Sequence, residues 1–135
     1  ILCPCDDPEW SNFTKYFAAN FDRFGLKKFI STSYAIESKA FVKAGYQYTF
    51  ADYLTDFEML SPSYDKDESP KRGKIYILER DKNADGRINI DDLEWDYMNG
   101  DGDFKSGEVT RLRDEADFII TNPPFSLFRE FLLWL

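Results

Sequence analysis

Ala116-Asp117-Phe118-Ile119-Ile120-Thr121-Asn122-Pro123-Pro124-Phe125, continuing into Ser126 to Leu135, orders a short apolar run, a proline-locked polar turn and an amphipathic stretch. That order predicts a buried strand over residues 116–120, a rigid turn and a helix. Two consecutive prolines fix φ near −65° and remove two backbone donors, so the turn is stiff and its carbonyls are free to face a ligand. Asn122 and Phe125 are thereby held in fixed directions at the carboxyl end of a strand, where open α/β sheets bind ligands.

The chemistry suited to this turn is attack by an exocyclic amino group. An Asn side-chain carbonyl and a Pro main-chain carbonyl can each accept one N–H of a planar amine, drawing its lone pair toward a reactive state. Phe125 can stack on the ring that bears the amine. An ordinary Pro-Pro strand end with a core Phe is the alternative reading of the same four residues. Asn122-Pro123-Pro124-Phe125 resembles the fourth motif of the amino-methyltransferases. The longer string through Phe131, with Cys5-Asp6-Asp7-Pro8 and Ser11-Asn12-Phe13, resembles the EcoRI-type adenine-specific DNA methyltransferases. The resemblance spans nearly the whole chain, more loosely over residues 35–98.

The resemblance implies a Rossmann-like S-adenosylmethionine-dependent α/β fold, partial here, with a mainly parallel sheet. It implies transfer of a methyl group from S-adenosylmethionine to N6 of an adenine flipped out of duplex DNA. The system would be one of restriction and modification, with a cognate restriction endonuclease as a further partner. Asn122, Pro123, Pro124 and Phe125 carry over as catalytic residues. Asp7, Pro8, Ser11 and Asn12 carry over to the methionine end of the cofactor. Asp103 and Phe104, in a loop before the Asn-Pro-Pro-Phe strand, carry over to its adenine. The glycines usual in the first βα turn are missing from residues 6–13. Ser31-Thr32-Ser33-Tyr34 also stands where an acid normally holds the cofactor ribose. A capped helix with Asp and Ser serving its N-terminus, and a ligand-free glycine-rich acidic loop at residues 99–104, are the plainer readings of these segments.

The remaining sequence bounds this picture. Hydrophobic residues at 43% and aromatics at 18% support one globular domain over residues 1–135. No run of about 18 apolar residues predicts a membrane span, and no secretory leader pattern is present, so a cytoplasmic protein is expected. Both ends read as cut inside core elements, which suggests the cofactor-facing part of a larger enzyme. The net charge of −8 disfavours phosphate binding by this chain itself. The basic DNA-recognition surface is therefore expected beyond Leu135. Cys3 and Cys5, two apart on one predicted strand, cannot bridge each other and, in a chain without His, do not suggest zinc.

Along the chain, Ile1 to Cys5 predicts a first strand. Ser11 or Asn12 caps a helix carrying Phe13, Tyr16, Phe17, Phe21 and Phe24, Gly25 ends it, and Leu26 to Thr32 forms a second strand. Tyr46, Tyr48 and Phe50, and then Tyr53 to Leu60, suggest strands or a short helix. Residues 61–74 are polar and read as a surface loop, Ile75 to Leu78 as a strand, and Ser106 or Gly107 to Glu115 as a helix. Residues 81–92 match the calcium-loop template: Asp81, Asn83, Asp85, Arg87, Asn89 and Asp92 stand at ligand positions, with Gly86 at the turn. They read as an insertion that either binds calcium or forms a metal-free Asp/Asn/Gly turn. A calcium-binding interaction module is thus the rival to an enzyme.

Overall fold

The computed structural model describes residues 1–8, 11–35, 61–79, 94–123 and 125–135. The expectations for residues 46–60, the calcium-loop pattern at 81–92 and the site residue Pro124 lie outside the described residues. The elements are β1 (Leu2–Cys3), α1 (Asn12–Ala19), β2 (Phe29–Thr32), β3 (Lys74–Leu78), β4 (Asp96–Tyr97), α2 (Gly107–Glu115), a 3₁₀ turn (Phe125–Leu127) and α3 (Phe128–Trp134).

The expected strand–helix–strand start is present. β1 pairs parallel with β2, Leu2 opposite Ile30 and Cys3 opposite Ser31, with α1 between them in sequence. Ser11 caps α1, its hydroxyl accepting the N–H groups of Phe13 at 3.1 Å and Thr14 at 3.4 Å. The helix ends at Ala19, short of the expected Gly25. The Asn20 amide donates to the Tyr16 carbonyl at 2.9 Å, and such local side-chain bonds compete with the helical ladder. Turns carry the chain on to Gly25, whose φ of +60° suits glycine.

The first strand is also shorter than expected. Cys5 has φ +64°, so the chain has left β1 before it, and the two cysteines do not share a strand face. Cys3 lies in the core and Cys5 is half-buried beside Tyr34, both as free thiols.

The sheet is mixed α/β in character, with order β1-β2-β3-β4. It departs from the mainly parallel arrangement expected: β2–β3 and β3–β4 are both antiparallel. A further parallel contact joins residues 118–120 to the free side of β1. Leu2 donates to the Phe118 carbonyl and Ile120 donates to the Leu2 carbonyl, both at 2.9 Å, about the bridge Leu2–Ile119. β1 therefore has parallel neighbours on both sides. The 116–120 segment is an edge rather than the buried strand expected: Phe118 is 67% exposed, because no described strand covers its outer side.

Side chains alternate between the two faces of the sheet. Phe29, Tyr76 and Leu78 meet Phe17, Ala18 and Phe21 of the α1 segment, and Trp95 joins them. Ile75, on the opposite parity, packs on a second cluster of Met98, Phe104, Val109 and Phe131, the last two from α2 and α3. Phe104 is wholly buried, edge-on to Phe131 at 5.0 Å and to Trp134 at 5.5 Å. Burial of one such side chain contributes about 1.5–3 kcal/mol. Arg113 and Thr110 of α2 both bond Trp134, through its carbonyl and its indole N–H, which fixes α3 against α2.

Candidate active site

Parallel pairing brings three strand ends to one edge of the sheet: β1 runs into Asp6 and Asp7, β2 into Ser33 and Tyr34, and residues 118–120 into Thr121 and Asn122. β3 is antiparallel, so its first residue, Lys74, lies at the same edge. The four segments are stitched together there by polar contacts.

Asp6 is the centre of this stitching. Its side chain is buried, at 7% exposure, and Oδ1 accepts the Ser11 hydroxyl at 3.1 Å. Its main-chain carbonyl accepts Ser31 Oγ at 2.5 Å, and Ser31 Oγ in turn accepts Thr14 Oγ1 at 2.8 Å. The loop after β1 is thus tied to both α1 and β2. The Thr121 hydroxyl donates to the Pro4 carbonyl, tying the Asn-Pro turn to the same loop. Burial pushes the Asp6 carboxyl up to about 6, against the opposing effects of the Ser11 hydroxyl and the Asn122 N–H, which favour the anion. The Cys3 and Cys5 thiols are pushed up to about 12, chiefly by burial and further by the nearby Asp6 charge.

Asp7 is half-buried and pairs with Lys74, Nζ to Oδ2 at 3.3 Å. Lys74 is almost wholly buried and lies over the Trp95 ring, 4.8 Å from its centroid. Pro8 is buried, and Asn12 is exposed on the first turn of α1. Asn122 is exposed, Pro123 half-buried and Phe125 91% exposed. The loop before α2 reaches the site because two glycines allow a close crossing. A β-carbon on Gly73 or on Gly102, the latter at φ +81°, would collide with the Ser33 carbonyl. Ala35 donates to the Asp101 carbonyl at 2.7 Å, which lays the loop along the end of β2. Asp103 accordingly meets Tyr34, whose phenol is raised well above its ordinary range by burial and by the Asp103 carboxylate. The next residue, Phe104, points into the core with both ring neighbours on α3.

The structure thus brings Asp7, Ser11, Asn12, Asn122 and Asp103 to one edge, and keeps Phe104 beneath it. Asp6, Tyr34 and Lys74 were missed by the sequence reading. A lysine opening the run Ile75-Tyr76-Ile77-Leu78 was a usable signal for a buried cation. Which of Asp6 and Asp7 turns inward depends on the positive φ of Cys5, for which the sequence offers no signal.

The family described as "Adenine-specific methyltransferase EcoRI" matches residues 1–135. The chain belongs to that family. Type II methyltransferase M.EcoRI of Escherichia coli is 39% identical over 132 residues, covering 98% of this chain and 33% of the relative. Type II methyltransferase M.MpnI of Mycoplasma pneumoniae is 29% identical over 135 residues, covering 100% of this chain and 29% of the relative. The chain thus spans about a third of the length of these curated relatives. No solved structure matches. A methyltransferase family of this description implies S-adenosylmethionine as its methyl donor. Among the described residues no cluster of His, Cys, Asp and Glu could hold a metal ion, and no helix is long and apolar enough to cross a membrane.

Proposed function

We propose that this chain forms the cofactor- and amine-binding part of a DNA adenine-N6 methyltransferase of a restriction–modification system. The observation that carries the reading is the adjacency of the Asn122-Pro123 turn to the loop Asp6–Asn12. Both stand at the carboxyl ends of neighbouring parallel strands and are joined through Thr121 and Pro4. The trio of parallel segments (β2, β1 and residues 118–120) is the nucleus of a Rossmann-like sheet in this reading.

The donor set suits the cofactor. Its ends are an amino-acid ammonium and an adenine amino group, both hydrogen-bond donors, and this edge offers acceptors: the carboxylates of Asp7 and Asp103, the Asn12 amide and the Ser11 hydroxyl. Asp7, Pro8, Ser11 and Asn12 would hold the methionine end. Asp103 would hold the adenine end, with Phe104 supporting that loop from beneath. S-adenosylmethionine, when bound, supplies an electrophilic methyl group. Asn122 Oδ1 and the Pro123 carbonyl accept the two N–H groups of the target adenine, which leaves the N6 lone pair directed at the reacting carbon. Pro124, whose ring fixes φ, would serve to stiffen the turn, and the exposed ring of Phe125 offers a face for the flipped base. The methylated nitrogen then loses one proton to solvent. Orienting the amine in this way can lower the barrier by up to ~7–11 kcal/mol.

Duplex DNA is the substrate, gripped by a basic surface outside this acidic chain, with a cognate endonuclease as counterpart in the cytoplasm. The test is methyl transfer from labelled S-adenosylmethionine to an adenine-containing duplex by the full-length protein. Asn122→Ala is expected to lower turnover by about 10²–10³-fold, as loss of one oriented polar group does elsewhere. Equal incorporation by both proteins would end the assignment.

A further inference from the structure

Asp6 has no place in the chemistry above, yet it is the most enclosed carboxylate at this edge of the sheet. Oδ1 is used by Ser11, whereas Oδ2 is buried with no hydrogen-bond partner. A buried, unpartnered carboxylate oxygen is costly unless the arrangement serves a purpose. The remaining donor acting on the carboxylate is the main-chain N–H of Asn122, which favours the anion without completing a bond to Oδ2. Bonds that are long in an unliganded site commonly tighten when it is loaded.

We propose that Asp6 is a positioning residue whose carboxylate ties the capped start of α1 to the main chain of Asn122, so fixing the amine-accepting turn relative to the cofactor loop. The inference rests on the methyltransferase reading. Two anchors hold Asp6 itself, its carbonyl on Ser31 and its Oδ1 on Ser11, and the Thr121–Pro4 contact holds the Asn-Pro turn to the same loop. A displacement of the Asn-Pro turn away from this loop breaks the Thr121–Pro4 contact. Pro123 follows Asn122 directly, so an anchor on the Asn122 N–H sets the direction of its side chain and of the Pro123 carbonyl together. The Ser11 hydroxyl, which accepts two α1 amides while donating to Asp6, transmits the same constraint to the helix bearing Asn12.

Among the described residues, the titratable groups around Asp6 are the neutral thiols of Cys3 and Cys5 on its own segment and the Asp7–Lys74 pair. Its hydrogen bonds from the α1 cap and β2 are to the hydroxyls of Ser11 and Ser31, and from the 118–122 segment the Asn122 N–H favours its anion. A titration of the Asn122 amide near pH 6 is therefore a direct report of Asp6.

The test uses the full-length protein, selectively ¹⁵N-labelled at asparagine, with the Asn122 amide assigned by its loss in Asn122→Ala. In the wild type that amide is expected to move with a midpoint of about 6, and in Asp6→Asn it is expected to stay still over the same range. At saturating cofactor and duplex, Asp6→Asn is expected to lower kcat by about 10²-fold, the scale of a misplacement of about 1 Å. KM for the cofactor should change much less, and the fall of kcat at acidic pH expected of the wild type should be absent from the variant. An Asn122 amide that does not titrate in the wild type overturns the proposal. So does a loss confined to cofactor KM, which would make Asp6 a cofactor ligand instead. A wild type that transfers no methyl group refutes the methyltransferase reading separately, and the amide titration still decides whether Asp6 and Asn122 are linked.

Discussion

Replacing Asp6 by Asn changes one buried group from ionisable to neutral at almost constant shape, and the effect on folding is set by the Asp6 environment. Its carboxyl is raised from 3.8 to about 6, chiefly by burial. At 1.36 kcal/mol per pH unit that displacement corresponds to about 3 kcal/mol between the two protonation states. An acid raised by folding holds its proton in the folded chain at pH values where the unfolded chain has released it. Its favourable contribution is therefore complete below about 3.8, declines as pH rises, and is gone above about 6. The Asn variant has its own constant cost, because its amide nitrogen would occupy the place of the unpartnered Oδ2. That cost is the same at every pH, so the informative quantity is the pH dependence of the difference between the two proteins. Relative to Asp6→Asn, the wild type is expected to lose about 2 kcal/mol of stability between pH 4 and pH 8. In urea, with a slope of about 1–3 kcal/mol per molar, the midpoint difference should shift by about 1 M or more. All other titrating groups are shared and cancel. A difference that stays constant across this range, or that grows in favour of the wild type as pH rises, would refute the assignment of a buried, raised carboxyl at Asp6.

Two further substitutions probe what holds the site edge together. Lys74→Met leaves Asp7 without its buried cation and is expected to cost about 3–5 kcal/mol in chemical denaturation, whereas Lys74→Met with Asp7→Asn should recover most of that loss; an additive double variant would show that the pair is not coupled. Gly102→Ala introduces a β-carbon at φ +81° against the Ser33 carbonyl and is expected to destabilise the fold by about 1–3 kcal/mol, seen as a lower thermal midpoint. Gly100→Ala, which meets only the flexible end of Glu108, is the matched control and should cost less.

Local signals in the sequence carried the elements whose cues were chemical. Ser11 and Ser106 are good N-caps, and both helices start where these residues place them. The run after Gly73 became β3, and the Asn-Pro turn emerged beside β1 as its position after an apolar run implied. The sheet was less legible, because parallel or antiparallel pairing depends on what crosses between strands. β1 to β2 runs through a helix and is parallel, whereas β2 to β3 runs through residues whose polar, aromatic-rich pattern specified no such crossover. Phe104 shows the same limit at the level of one side chain. Its position beside Asp103 suggested a ring facing the cofactor, but Phe131 and Trp134 on α3 offer it an apolar surface, and burial of that ring outweighs an exposed position on an acidic loop.

Asp6 extends the point to function. Its charge is costly to bury, and no pattern of spacing distinguishes it from Asp7. What distinguishes them is where each carboxylate ends: Asp7 meets a cation, while Asp6 meets the Ser11 hydroxyl with one oxygen and leaves the other buried without a partner. The charge of a paired carboxylate such as Asp7 is offset by its partner cation. An enclosed anion with one oxygen unpartnered weakens the fold above about pH 6, and proteins retain such a group chiefly where function requires it. Stability and turnover should consequently respond to Asp6→Asn with different pH signatures. The variant's stability relative to the wild type should improve as pH rises toward neutrality, over the same range in which wild-type turnover rises and the variant's stays low. A residue serving only to cap α1 through Ser11 would affect folding alone and leave the acidic limb of turnover where it was.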